Sequence, residues 1–348
     1  MESVAAAECS RQPAVGTSNP IRNFSYNQAM RRLLVFGTCV ACLLGAVGTA
    51  GRQQPIFRGE GDAVRVFATV TDGDGRLVTT LTRDDFEVRD EGTPQPITLF
   101  DNAPQRIRLI VMLDVSGSMA GNLPLLRAAA EQLFARLRPD DVARVGTFGH
   151  EIIISPSFTR DPTDLGTVLP RRIATNAPTP LWRALDEALD AFGAPTDERP
   201  VILVLSDGKD SGPTRFGQHF FSPGEIIDRA RDDDVMVYGI GMRSRTARPR
   251  QPGLIGPGSL QAMLMADLPD PGLALVARDT GGGYTQIRFG QDLAAAFAQV
   301  ADELHGQYLL GFAPPERDGK AHDISVRVDQ RGMKVRARRS YVAPKAEP

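Results

Sequence analysis

IRLIVMLDVSGSM, residues 107–119, separates what the chain can bury from what it must bind. Ile107 to Leu113 is an apolar run rich in Ile, Val and Leu, interrupted only by Arg108. A run this short reads as a strand covered on both faces, as inside a parallel sheet. It ends in Asp114, Ser116 and Ser118 around Gly117. That is a tight turn with hard oxygen donors at alternate positions, the ligand type that hard divalent cations require. The turn is expected at the surface.

Two further places hold oxygen ligands. Thr179 sits in ATNAPTPLWRAL (174–185), just before a helical pattern, and Asp207 sits in VLSDGKD (204–210), at the end of the apolar run Val201–Leu205. Open α/β sheets bind ligands beyond the carboxyl ends of their strands, near a switch in strand order. Asp114, Ser116, Ser118, Thr179 and Asp207 are therefore the candidate metal ligands. Three hydroxyls and two carboxylates suit Mg²⁺ or Mn²⁺, with Ca²⁺ as a further candidate, and Mg²⁺ keeps several waters. Ser, Asp and Thr are also common helix caps. One cap would explain one of these places, but not three at strand ends of one sheet. Lys209 and Asp210 read as polar loop residues, and His219, in the loop after Asp207, is within reach of a ligand.

Around these places strands and helices alternate from 106 to 305. Leu123, Leu126, Ala130, Leu133, Phe134 and Leu137 recur at helical spacing, as do Leu181, Leu185, Ala188, Leu189 and Phe192. Val142–Phe148 and Ile152–Ile154 predict an antiparallel edge pair. Glu225–Arg231 predicts a short helix, Val235–Ile240 and Tyr284–Ile287 strands, and Asp292–Leu304 a last helix. Such alternation predicts an α/β fold, a doubly wound and mostly parallel sheet. Residues 212–223 and 243–272 read as long irregular loops, the second with a short helix at 260–265.

The flanks read differently. In 57–103, Val64, Val66, Ala68 and Val70 alternate with polar positions, and Asp72-Gly73-Asp74-Gly75 is a turn. In 306–344, Ile324, Val326 and Val328 alternate, then Met333, Val335 and Ala337 after Arg331-Gly332. Lys334, Arg336 and Arg338 form a basic face on the last of these strands, expected to be solvated. The two flanks are expected to join as one small all-β domain.

A chain of 348 residues with a net charge of −2 gives no global argument for nucleic acid or for an anionic membrane. Cys9, Cys39 and Cys42 are its only cysteines, so no disulfide framework or thiolate site exists beyond residue 42. Met30-Arg31-Arg32 followed by LLVFGTCVACLLGAVGTA (33–50) has the plan of a signal peptide. Residues 1–50 are thus read as leader and signal, with Met30 as a candidate start. The body is expected to be exported, periplasmic or secreted, and membrane-anchored only if 33–50 is uncleaved.

DVSGSM resembles the DxSxS motif of von Willebrand factor type A domains, their metal-ion-dependent adhesion site. TPLWRAL resembles that family's threonine loop and LSDGKD its aspartate loop, in the same order and spacing. The flanks VFATVTDGDGRLVTTLTRDDFEVRDEG and YLLGFAPPERDGKAHDISVRV resemble exported bacterial proteins of a VWFA-related subgroup. The resemblance covers about 57 to 344 and implies a type A domain over 106–305. It implies direct ligation by Ser116, Ser118 and Thr179. Asp114 and Asp207 would act largely through water, and a partner's carboxylate would complete the shell. Ala177-Pro178 departs from the two glycines often found there, and stiffens the approach to Thr179.

The expected function is a non-enzymatic, metal-dependent protein-binding module of the adhesion type. Its partner would be a protein supplying an Asp or Glu. Two alternatives stand beside it: a Mg²⁺-dependent phosphoryl hydrolase using Asp114 as nucleophile, and an envelope protein with a purely structural metal. The hydrolase would need a second acid where the chain has Ser116. No G-x-S-x-G or H-E-x-x-H motif occurs.

Overall fold

Asp114 ends β5 (Ile107–Asp114), whose odd and even residues feed two separate cores. The structure, a computed structural model, describes residues 63–161, 168–207, 209–213, 217–242, 269–287 and 293–345. β1 (Val64–Thr71), β2 (Phe86–Asp90), β3 (Thr93–Gln95) and β4 (Leu99–Asp101) precede β5. After it come α1 (Leu123–Phe134), β6 (Val142–Phe148), β7 (Ile152–Ile154), α2 (Leu181–Asp190) and β8 (Arg199–Ser206). Then follow α3 (Pro223–Asp232), β9 (Met236–Met242), α4 (Pro271–Asp279), β10 (Tyr284–Ile287) and α5 (Leu293–His305). β11 (Tyr308–Phe312), β12 (Ala321–Val328), β13 (Lys334–Arg336) and β14 (Ser340–Val342) close the described chain.

The central sheet has the order β10-β9-β8-β5-β6-β7, parallel except for β7 at one edge. From β5 the chain steps to β6 on one side and later to β8 on the other. Strand order reverses at β5, so Asp114 lies at the switch point. Leu109, Val111 and Leu113 pack with Leu126 and Leu133 of α1 and Phe297 and Val300 of α5. Ile110 and Met112 pack with Leu185 and Leu189 of α2, Ile226 of α3 and Val276 of α4. Each such side chain, fully buried, is worth roughly 1.5–3 kcal/mol, which is why the run needs apolar residues on both faces.

The flanking strands make two four-stranded sheets, β13-β1-β11-β4 and β14-β12-β2-β3. β1 pairs antiparallel with β11, and β2 with β12. Neither flank makes a sheet of this size without the other. Val66, Ala68, Val70, Leu310 and Phe312 share one core with Val88, Ile324 and Tyr341. The β2–β3 turn has Glu91 at φ 46° and Gly92 at φ 79°, the paired positive angles of a type I′ hairpin.

Two expectations are corrected. The irregular stretch expected over 243–272 gives way to α4 from Pro271, whose start Asp270 caps by accepting from the Gly272 amide at 2.9 Å. Proline occupies its first position, where no amide is needed. The basic face expected to be solvated is so at Lys334, which is exposed, but not at Arg336 and Arg338. The Arg336 guanidinium pairs with Glu303 of α5 and lies 5.7 Å over the Tyr238 ring. Arg338 pairs with Asp234 and donates to the Arg65 carbonyl at 2.6 Å. Both arginines join the β sheets to the α/β layer, and a period-2 pattern says nothing of what the polar face meets. Residues 243–268, with the helix expected at 260–265, and the 1–50 leader lie outside the described residues. Among the described residues no helix is long and apolar enough to cross a membrane.

Candidate metal centre

β5 leaves the sheet at Asp114, which is fully buried, and Ser116 and Asp207 are each 2% exposed. The expectation of a surface turn is corrected for Asp114 and Ser116, while Gly117 and Ser118 stay partly exposed. Asp114 Oδ1 accepts from the Ser116 amide at 2.8 Å, and Oδ2 from the Ser206 hydroxyl at 2.6 Å. A 3-10 turn, Gly117–Met119, follows and brings Ser118 back over the strand end. Its hydroxyl donates to Asp207 Oδ1 at 2.7 Å and lies 3.0 Å from Ser116 Oγ. Four of the five candidate ligands therefore share one hydrogen-bonded cluster, spanning the ends of β5 and β8.

Thr179 joins through backbone. The Gly117 amide donates to the Ala177 carbonyl at 3.0 Å, holding the threonine loop against the turn. A Cβ at Gly117 would stand 2.1 Å from the Thr175 carbonyl oxygen, so only glycine allows this approach. On the other side the Thr179 amide donates to Ser211 Oγ at 3.1 Å, and the Ser211 amide returns a bond to the Thr179 carbonyl at 2.9 Å. Asp210 accepts from the Trp182 and Gly212 amides at 3.3 and 2.7 Å, and its own amide donates to Asp270 at 3.1 Å. Asp210 is thus a brace between α2, α4 and the aspartate loop, more than the polar loop residue expected. His219 contacts Glu225 at 2.9 Å and meets the Phe221 ring edge-on.

Sequence reasoning missed Ser206, Ser211, Asp210 and Asp270. Ser206 stands beside Asp207 in VLSDGKD, and only the pairing of β5 with β8 brings its hydroxyl to Asp114. Asp270-Pro271 carried a legible signal, an N-cap acid before a first-turn proline.

The electrostatics explain what the cluster lacks. Burial, and then the charge of Asp114, pushes the Asp207 carboxyl up to about 7, against the Ser118 hydrogen bond. Burial raises Asp114 as well, although Ser116 and Ser206 hold it down in part. Among the described residues no Lys or Arg is a main influence on either. Two buried carboxylates repel and keep protons unless a cation compensates them. Hydroxyls at 2.7–3.0 Å add neutral oxygen donors. The donor set fits a hard divalent ion.

The structure is thus an α/β protein with an open, mostly parallel sheet and hydroxyl and carboxylate oxygens gathered at its switch point. Residues 109–209 match the family model described as the von Willebrand factor type A domain. The chain carries a von Willebrand factor type A domain. Among solved structures it is similar to a von Willebrand factor type A protein from Catenulispora acidiphila, at 12% identity over 82% of this chain and 75% of that one (TM-score 0.43). It is similar to the conserved protein BatB from Bacteroides thetaiotaomicron at 16% identity over 57% and 97% (TM-score 0.41). Proximal thread matrix protein 1 of the mussel byssus, solved with a zinc-occupied MIDAS motif, is 15% identical over 63% and 50% (TM-score 0.42). No curated protein matches the chain.

Proposed function

We propose that this chain is an exported, metal-dependent protein-binding module whose bound Mg²⁺ or Mn²⁺ receives an Asp or Glu from a partner protein. One observation carries the reading: two buried carboxylates, Asp114 and Asp207, lie among hydroxyls, and among the described residues no Lys or Arg is a main influence on either. Ser116, Ser118 and Thr179 would ligate the ion, and the two aspartates would balance its charge, largely through water. When bound, the ion offers an electrophilic position to an anionic oxygen. The protein's own part is to hold the hydroxyls still, through Gly117 against the threonine loop and Ser211 against Thr179. The full burial of Asp114 supports this over phosphoryl transfer, since a nucleophile must be reached by its substrate.

Calorimetric titration of the full chain with Mg²⁺ and Mn²⁺ tests the metal. One equivalent is expected, weakened at least about tenfold in Ser118→Ala, in keeping with loss of a ligand or its support. Envelope proteins retained in Mg²⁺, released by chelator and not retained by Ser118→Ala would then be examined for an Asp or Glu whose amide variant no longer binds. Metal binding without any carboxylate-dependent partner would leave a structural ion and overturn the adhesion reading.

A further inference from the structure

The β sheets hold a second group of ligand-type side chains, far in sequence from the first. Glu316 and Asp318, on the turn between β11 and β12, and His322 on β12 bring two carboxylate oxygens and a ring nitrogen within 4.8 Å of one another. His322 Nε2 lies 3.2 Å from Asp318 Oδ1. Behind the ring, Nδ1 forms a 3.4 Å ion pair with Asp90 Oδ1, and among the described residues neither atom has a closer hydrogen-bond partner. Asp90 is 2% exposed and His322 7%. The Tyr341 hydroxyl, on a ring 5.5 Å from that of His322, is buried and unpartnered as well.

Buried polar atoms held by no more than a 3.4 Å ion pair are costly and call for an explanation. A carboxylate behind the far nitrogen of a histidine is how metal-binding imidazoles are commonly oriented. It favours the tautomer with Nδ1–H toward the acid and leaves the Nε2 lone pair free to ligate. Here Asp90 stands behind, and Nε2 points at Asp318.

We propose that Glu316, Asp318 and His322 form a second cation site, selective for a borderline transition ion of the Zn²⁺ class, with Asp90 orienting the histidine. A nitrogen ligand selects against Mg²⁺ and Ca²⁺, which take oxygen. Three protein ligands leave a fourth tetrahedral position for water. All three come from seven consecutive residues, so the ion would staple the turn to β12. The ion must displace two competitors: the proton shared between His322 Nε2 and Asp318 at 3.2 Å, and Lys320, whose Nζ sits 3.0 Å from Asp318 Oδ2 and is exposed enough to swing away.

The test is titration of Zn²⁺ into the full chain carrying Ser116→Ala and Ser118→Ala, in excess Mg²⁺, so that the strand-end site does not contribute. One equivalent is expected to bind. Affinity should fall at least about tenfold in His322→Gln and in Glu316→Gln, fall about tenfold in Asp90→Asn, and rise in Lys320→Met. Glu316 is exposed, so its variant keeps the fold even where His322→Gln disturbs β12. Absence of Zn²⁺ binding, or unchanged affinity in Glu316→Gln, overturns the site. Unchanged affinity in Asp90→Asn overturns the orienting role.

Discussion

Asp114 and Asp141 stand at opposite ends of the same sheet, are both buried, and behave as opposites. Asp141 precedes β6 at the amino ends of the strands. Its Oδ1 accepts from the Ile107 amide at 3.1 Å, and its Oδ2 from the Arg138 amide at 2.8 Å and the His305 ring at 2.8 Å. Burial pushes its carboxyl up, but the His305 and backbone hydrogen bonds outweigh that and hold it below the usual range. Asp114 and its neighbour Asp207 are held above that range, by burial and, for Asp207, by the facing charge. Burial alone therefore does not mark a functional acid. What separates the two ends is whether the protein itself supplies the compensation.

The largest effect is expected where the compensation is internal. Asp141→Ala should destabilise the chain by about 3–5 kcal/mol, the usual cost of breaking a buried charged network, measured by denaturant unfolding. Because its folded pKa is depressed, Asp141 contributes stability above the unfolded value of about 3.9, lost as pH falls through the folded one. An acid-side decline missing from Asp141→Asn would confirm the assignment. A loss under 1 kcal/mol would mean that His305 and the two amides find water instead, and the contrast would collapse.

At the other end the sign reverses. The Asp207 pKa of about 7 lies above its unfolded value, so its ionisation costs stability as pH rises from about 4 to about 7. Asp207→Asn should therefore stabilise the metal-free chain at neutral pH, by roughly 2 kcal/mol once screening is allowed for, and remove that slope. The same variant should lose the rise in melting temperature that Mg²⁺ gives the wild type. If metal-free Asp207→Asn melts lower than wild type, the carboxylate is compensated in a way that its surroundings do not show.

Much of the strand-end cluster was legible because its residues interrupt strong patterns. An acid and two serines after seven mostly apolar residues cannot continue a buried strand, and Leu205-Ser206-Asp207 repeats the break. The alternating 106–305 pattern likewise carried the sheet, since both faces of β5 had to be apolar. What escaped depended on distance in sequence. Arg336 and Arg338 looked like solvent-facing positions because Glu303 and Asp234, which pair with them, belong to other elements. Asp90 and His322 lie on strands that become neighbours only when the two flanks pair. Asp210 and Asp270 gave polar signals, but the bond between them requires α4, which the long irregular stretch concealed.

That bond gives the smallest and most discriminating effect. Asp270 uses Oδ1 to cap α4 through the Gly272 amide and Oδ2 to hold the Asp210 amide at 3.1 Å. Losing a cap costs about 1 kcal/mol, so Asp270→Ala should lower stability by that much in thermal or denaturant unfolding. If the aspartate loop also depends on this brace, Mg²⁺ affinity should fall by a few-fold, although Asp270 is no ligand. Asp270→Asn keeps one acceptor oxygen for the cap but no second one for Asp210, so it should restore most of the stability and little of the affinity. Full recovery of both would make Asp270 a helix cap and nothing more. The strand-end cluster would then owe its geometry to β5 and β8 alone.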